Sequence, residues 1–344
     1  MPFGSVPHEG CSGRTNVSGV PAPELFAPPA RSPQLRALGS VLPLAHLLPR
    51  PVYYAMAGGG SHGAVQWGLL QALSETDLMP DAIMGTSAGA LSGVIYAEDP
   101  LSGLNRLAYI WGQLDAGHIM SENWWTRLGN ARQIALMDNR TEAQTLAGLL
   151  TAKTFAELTI PFSAVTTDAA TGHTVVIDSG ELIPALLASS AIPGALPPVE
   201  IDGRLLFDGL ASANLPAVPA VNRGAGSVVV LDTGGRDHGE VTAAARRVMS
   251  RLAAILTTAQ RRDQLQDAAG AVPVVLLPTP GGLAGNLDFR HTMQSAATAY
   301  AESREFLADL VATYSEPLAP GLYARPDQRG VADALAHILR PVGS

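Results

Sequence analysis

A run of short apolar segments separated by glycine-rich turns between residues 52 and 97 constrains this chain more than anything else in it. Val52-Tyr53-Tyr54-Ala55-Met56-Ala57 is apolar, rich in β-formers, and ends in Gly58-Gly59-Gly60. That is the pattern of a buried strand entering a tight loop. From 64 to 73 apolar residues recur at 65, 69, 70 and 73, which is one face of a helix. Ala82-Ile83-Met84 predicts a second short strand stopped at Gly85, and a helix from Ala88 to about Ala97 follows. Strand, helix, strand and helix in this order predict a parallel sheet with helices on both faces.

The remaining chain extends that layout. Residues 1–50 are rich in Pro, Gly and Ser without a sustained period, and predict a disordered leader. A single folded domain is expected over 51–314. Residues 101–155 are expected to be a helical insertion or cap carrying Trp111, Trp124 and Trp125. Strands are predicted at Phe162 to Thr166 and Thr174 to Ile177, and a helix from Leu182 to Ser189. Val199 to Phe207 predicts a hairpin turning on Asp202-Gly203. Further buried strands are expected at Ser227 to Leu231 and Val272 to Leu277, and long helices at 240–268 and 291–313. A C-terminal tail with a short helix is expected over 315–344. The chain shows no internal repeat.

Composition excludes several function classes. The 344 residues are 47% hydrophobic and 15% charged, enough for a sizeable core and for some apolar surface facing a greasy substrate. A net charge of −8 offers no basic face to nucleic acid and no general attraction to anionic membranes. The single cysteine, Cys11, permits no internal disulfide, and no cysteine cluster suggests a metal. Neither a transmembrane run nor a secretory signal is seen, so a cytoplasmic location is expected, with peripheral membrane contact open. Oligomeric state is not legible.

Chemistry is concentrated in two loops and one turn. Gly85-Thr86-Ser87-Ala88-Gly89 matches G-x-S-x-G between a predicted strand and a predicted helix. A nucleophile on such a turn needs the small neighbours Gly85 and Gly89, so that its hydroxyl stands clear. The helix that follows adds partial positive charge near a developing oxyanion. Gly58-Gly59-Gly60-Ser61-His62-Gly63 can aim several backbone N–H groups at that oxyanion. Gly58, Gly60 and Gly63 also fit G-x-G-x-x-G, but no acidic residue ends the second strand, which argues against a dinucleotide site. Asp208, in Phe207-Asp208-Gly209-Leu210, closes the hairpin where Gly209 lets the chain turn away, and is the candidate base.

Gly-Gly-Gly-x-x-Gly at 58–63, Gly-Thr-Ser-Ala-Gly-Ala at 85–90, and Ser189-Ser190-Ala191-Ile192-Pro193-Gly194 leading to Asp208-Gly209 together resemble the patatin-like phospholipase family. The resemblance spans about Val52 to Thr233. It implies a three-layer α/β/α fold with a mainly parallel central sheet, and a Ser–Asp dyad without a catalytic histidine. It further implies hydrolysis of lipid acyl esters without a cofactor or metal. By position, Ser87 is the nucleophile and Asp208 the general base. Backbone N–H groups of Gly58, Gly59, Gly60 and Ser61 form the oxyanion hole, and Gly63, Gly85, Gly89 and Gly209 support the motifs. Asp168 is expected to be structural. Two positions depart from the family pattern. His62 stands where many members carry Arg or Lys, leaving it at most a tuning role. Leu210 replaces a small residue beside the base.

Two alternatives remain from sequence. A Ser–His–Asp triad could recruit His238 or His291 in chain order after Asp208. A non-catalytic lipid-binding or regulatory protein could keep the same fold.

Overall fold

The structure, a computed structural model, describes residues 41–115, 140–193, 196–234, 245–281, 291–326, 328, 335 and 337–343. In chain order the elements are β1 (Val52–Met56), α1 (Gly63–Leu73), β2 (Ala82–Thr86), α2 (Ala88–Glu98), α3 (Pro100–Asp115) and α4 (Arg140–Leu149). They continue with β3 (Phe162–Asp168), β4 (Thr174–Ile177), α5 (Leu182–Ser190), β5 (Val199–Ile201), β6 (Arg204–Asp208), α6 (Leu210–Ala213) and α7 (Ala217–Asn222). The last are β7 (Ser227–Leu231), α8 (Ala245–Ala271), β8 (Pro273–Leu276), α9 (Thr292–Thr313), β9 (Gly321–Ala324) and β10 (Leu339–Pro341).

One sheet runs β10-β9-β8-β7-β1-β2-β3-β6-β5, parallel from β10 through β3, with β4 paired on β3. Antiparallel pairing enters only where β3 meets β4 and β6, and in the β5–β6 hairpin. Asp202 and Gly203, both at positive φ, turn that hairpin. The third layer follows from strand periodicity. Tyr54, Val229 and Val275 point into one apolar cluster, with Leu69 and Leu73 of α1, Val94 of α2 and Phe306 of α9. Their chain neighbours Ala55, Val228, Val230 and Val274 point into the opposite cluster, with Ala217 and Ala220 of α7 and Leu265 and Ala268 of α8. Strands buried on both faces carry no polar alternation, which explains the continuous apolar runs in the sequence. The protein is therefore a three-layer α/β/α fold around a mainly parallel sheet.

Four expectations need correction. Strand β2 continues through Gly85 to Thr86 rather than stopping at Gly85. Order does not begin at Val52: Leu44, Leu47 and Leu48 are buried in the core, and Asp77 Oδ1 accepts the backbone N–H groups of Leu44 and Ala45 at 2.7 Å each. The segment after 315 is not merely a tail, because β9 and β10 extend the sheet and Leu322 and Ala324 are fully buried. The long helix expected at 240–268 is described from Ala245 and runs on to Ala271, its side chains packing Leu265 and Ala268 under the sheet. The leader over 1–40, and Trp124 and Trp125 of the cap, lie outside the described residues. Among the described residues, no helix is long and apolar enough to cross a membrane.

Candidate active site

The sheet order reverses at β1. The chain builds outward through β2 and β3 on one side, then returns to β7 and builds outward through β8, β9 and β10 on the other. At such a switch point the loops beyond the carboxyl ends of adjacent strands separate and leave a crevice. Here the loops leaving β1, β2 and β7 carry Gly58, Ser87 and Thr233 respectively, and they converge.

Ser87 follows β2 directly and caps α2 with φ 54° and ψ −121°, a backbone conformation that side chains other than glycine rarely adopt. Its carbonyl accepts the N–H groups of Ala90 and Leu91, so the helix starts within the same turn. The turn fits only because Gly89 lacks a side chain: a Cβ there would lie 2.3 Å from the Met56 carbonyl oxygen. The Ser87 N–H donates to Ser189 Oγ at 2.9 Å, and Ser189 Oγ donates to the Val165 carbonyl at 2.8 Å. The elbow is thus pinned from α5 and β3 at once.

Asp208 reaches Ser87 through strand register. β2 and β4 flank β3 on opposite edges, pairing Thr86 with Val165 and Val176 with Val165. β6 then pairs Asp208 with Thr166 and Phe207 with Thr167, residues whose other edge β4 occupies. Strand β6 therefore lies on the β2 edge, running head-on toward it, and its last residue stands level with the first residue after β2. Contacts agree: a Cβ on Gly209 would sit 2.9 Å from Thr86 Cγ2.

The Asp208 side chain is 1% exposed. Oδ1 accepts the Leu210 N–H at 2.8 Å, while Oδ2 is buried without a fully formed hydrogen bond. Burial pushes the carboxyl up from 3.8 to about 7; the Leu210 N–H and the Ser87 side chain pull it part of the way back. A carboxylate with that value, beside a hydroxyl on a tight turn, is suited to take a proton near neutral pH. Leu210 itself is half-buried and opens α6, so its backbone serves the carboxylate.

The glycine loop corrects one expectation. The Gly58 N–H donates to the Asn214 carbonyl at 3.0 Å and is spent inside the fold, so Gly58 does not belong to an oxyanion hole. Its role is close approach: a Cβ would lie 2.5 Å from Asn214 Oδ1 and 3.2 Å from Ser87 Cβ. Gly59, Gly60 and Ser61 stay at the loop's tip, where Gly60 adopts φ 61° and the chain makes one 3-10 turn from Gly60 to His62. Gly63 opens α1 between the Trp111 ring, which is 6% exposed, and Ala88 of the elbow, so Trp111 packs inside the fold against the glycine loop.

His62 is buried and lines a small cleft with Gly58, Gly59, Asn214, Thr233 and Arg261, on a side of the glycine loop that neither Ser87 nor Asp208 lines. Arg261 Nε contacts Asp232 Oδ2 at 2.5 Å across that cleft. The cleft thus carries a cation from α8, neutralised by a buried carboxylate. Sequence reading missed Asn214, Thr233, Asp232 and Arg261, and assigned no role to Ser189. Asp168 is exposed and caps its own turn through the N–H groups of Ala170 and Thr171, a structural role. Of the histidines weighed for a triad, His291 is exposed at the start of α9 and His238 lies outside the described residues. Among the described residues, no group of three or more His, Cys, Asp and Glu could hold a metal ion.

Comparison with known proteins gives this geometry its relatives. Residues 54–221 match the family described as patatin-like phospholipase. Patatin-like phospholipase domain-containing protein 7 of Mus musculus is 32% identical over 191 residues, covering 54% of this chain and 14% of that protein. An uncharacterised NTE family protein of Mycobacterium tuberculosis is 31% identical over 218 residues, covering 60% of this chain and 53% of its own. This chain therefore spans only part of the length of these relatives. The crystal structure of VipD from Legionella pneumophila aligns over 77% of this chain and 67% of its own, with a TM-score of 0.46 at 14% identity. The glycine loop, the serine turn and the terminal Asp-Gly hairpin all lie inside the matched span, so residues 54–221 are similar to the patatin-like phospholipase family across the whole candidate site.

Proposed function

We propose that this protein is a serine hydrolase of lipid carboxyl esters that works through a Ser87–Asp208 dyad. The observation that carries the reading is the pairing of a hydroxyl on a strained turn with a fully buried carboxyl raised to about 7. Ser87 Oγ attacks the ester carbonyl carbon as Asp208 takes its proton. The negative charge that develops on the carbonyl oxygen is met by backbone N–H groups of the Gly59–Ser61 turn and by the positive end of α2. Asp208 returns the proton to the departing alcohol, leaving an acyl group on Ser87. Asp208 then takes a proton from water as it attacks the acyl carbon and returns that proton to Ser87 Oγ as the acyl bond breaks, which releases the fatty acid and restores both groups. The family match supports a lipid acyl group as substrate.

Hydrolysis of a short-chain p-nitrophenyl ester tests the reading, beside Ser87→Ala and Asp208→Asn. Turnover in the wild type, lost in both variants, is the expected result, together with covalent labelling of Ser87 by a fluorophosphonate. A wild type that neither hydrolyses short and long esters nor takes the label would instead make it a lipid-binding protein on the same fold.

A further inference from the structure

Three successive glycines cannot hold a loop in one conformation by themselves, since none has a side chain to restrict its backbone. The Gly58–Gly59–Gly60 loop is instead held from outside. The Gly58 carbonyl accepts Asn214 Nδ2 at 3.2 Å and Thr233 Oγ1 at 3.0 Å, while the Gly58 N–H donates to the Asn214 carbonyl at 3.0 Å. Asn214 is held in turn, its N–H donating to Gln260 Oε1 at 2.6 Å on α8. Just before the loop, Gln66 Nε2 donates to the carbonyls of Ala57 and Leu231 at 2.8 and 2.9 Å, tying the ends of β1 and β7 together.

In a trans peptide the carbonyl and the following N–H point in opposite directions. Holding the Gly58 carbonyl against Asn214 and Thr233 therefore fixes the Gly59 N–H to point away from them. Thr233 also packs on the loop's other glycine, with Oγ1 2.4 Å from where a Gly59 Cβ would be. The clamp is retained although it leaves Asn214 Oδ1 buried without a partner. The reverse orientation of that amide would set two oxygens against each other at Gly58.

We infer that Asn214 and Thr233 are positioning residues of the hydrolase: without touching substrate, they fix the Gly58–Gly59 peptide so that the Gly59 N–H keeps the direction an oxyanion requires. The inference rests on the proposed reading of the site. Removing an oxyanion donor outright costs on the order of 100-fold or more in kcat, so loosening one should cost about 10- to 100-fold. The interaction is made in the transition state, so kcat and kcat/KM should fall together with KM little changed.

The experiment compares hydrolysis of p-nitrophenyl butyrate by wild type, Thr233→Val, Thr233→Ser and Asn214→Asp, with Ser87→Ala as blank and thermal melting alongside. Thr233→Val keeps the shape and removes the hydroxyl, Thr233→Ser restores it, and Asn214→Asp turns the donor into an acceptor. The expected result is a loss of about 10- to 100-fold in kcat for Thr233→Val, with KM within about twofold and Thr233→Ser close to wild type. Asn214→Asp should lose at least as much. Should Asn214→Asp fail to fold, the two threonine variants decide alone. Thr233→Val within about threefold of wild type, or Thr233→Ser falling as far as Thr233→Val, would overturn the inference alone. A wild type with no turnover above the Ser87→Ala blank would overturn the underlying reading and this inference with it.

Discussion

Ser189 Oγ accepts the backbone N–H of Ser87 at 2.9 Å while giving its own proton to the Val165 carbonyl, so one buried hydroxyl joins the elbow to the central strand β3. Ser189→Ala leaves both of these buried groups without this partner. A buried polar group left unsatisfied costs about 1–3 kcal/mol, and the turn carrying the candidate nucleophile loses its anchor. Denaturant unfolding should show that loss, and ester turnover should fall with it. A variant as stable and as active as the wild type would show that the elbow holds itself.

The Ser87 backbone gives a second, independent test. Its φ of 54° with ψ −121° suits glycine, and holding a residue with a side chain there costs about 1–3 kcal/mol. Ser87→Ala keeps that strain and Ser87→Gly relieves it. Although glycine ordinarily destabilises through the unfolded chain, here Ser87→Gly should melt about 2 °C or more above Ser87→Ala. Both should be inactive. The opposite order of melting would mean that the turn is not strained.

Asp208 predicts how pH acts on activity and on stability. Burial raises its value in the folded state from 3.8 to about 7, so ionisation is disfavoured by folding. Its contribution to stability is complete below about pH 4 and is lost as pH rises through about 7. Asp208→Asn cannot ionise and should gain on the wild type across that window, by up to about 4 kcal/mol at roughly 1.4 kcal/mol per unit. Activity has the opposite sign, because only the ionised carboxyl can take the Ser87 proton. The rising limb of kcat/KM should lie near pH 7. A limb near pH 4 would mean that Asp208 titrates as an exposed carboxyl.

Much of this was legible in the sequence because it is local. The hairpin at Asp202-Gly203, the elbow at Ser87 and each strand, loop and helix between Val52 and Ala97 are written in short runs of consecutive residues. The residues that hold the site together are written nowhere locally. Ser189, Asn214 and Thr233 act through bonds that reach backbone groups 102, 156 and 175 residues away. Isolated Ser, Asn and Thr residues are so common in loops that no spacing marks these three. The family resemblance places Gly58 in the oxyanion hole with its neighbours, and only the Asn214 carbonyl removes it from that role. β9 and β10 are equally silent: each is only three or four residues long, and β9 finds its partner β8 on the far side of α9 in the chain.

The segment just before β1 was misread for a related reason, and it carries the last test. Leu44, Leu47 and Leu48 have the i, i+3, i+4 spacing of a helix face, but Pro43 and Pro49 confine it to little more than one turn, so composition suggests a leader. Yet Leu44 and Leu47 are fully buried, the Leu47 carbonyl accepts the Leu318 N–H at 2.8 Å, and Ser227 Oγ donates to the Pro49 carbonyl at 2.7 Å. This irregular stretch joins the edge of the core to β7 and to the chain after α9. Leu47→Ala should therefore cost about 2–5 kcal/mol, as truncation of a buried leucine does. Val41→Ala, at a position 59% exposed, should cost less than about 0.5 kcal/mol. Urea unfolding of the two variants separates the cases. Equal, small effects would return residues 41–50 to the leader and start the folded unit at β1.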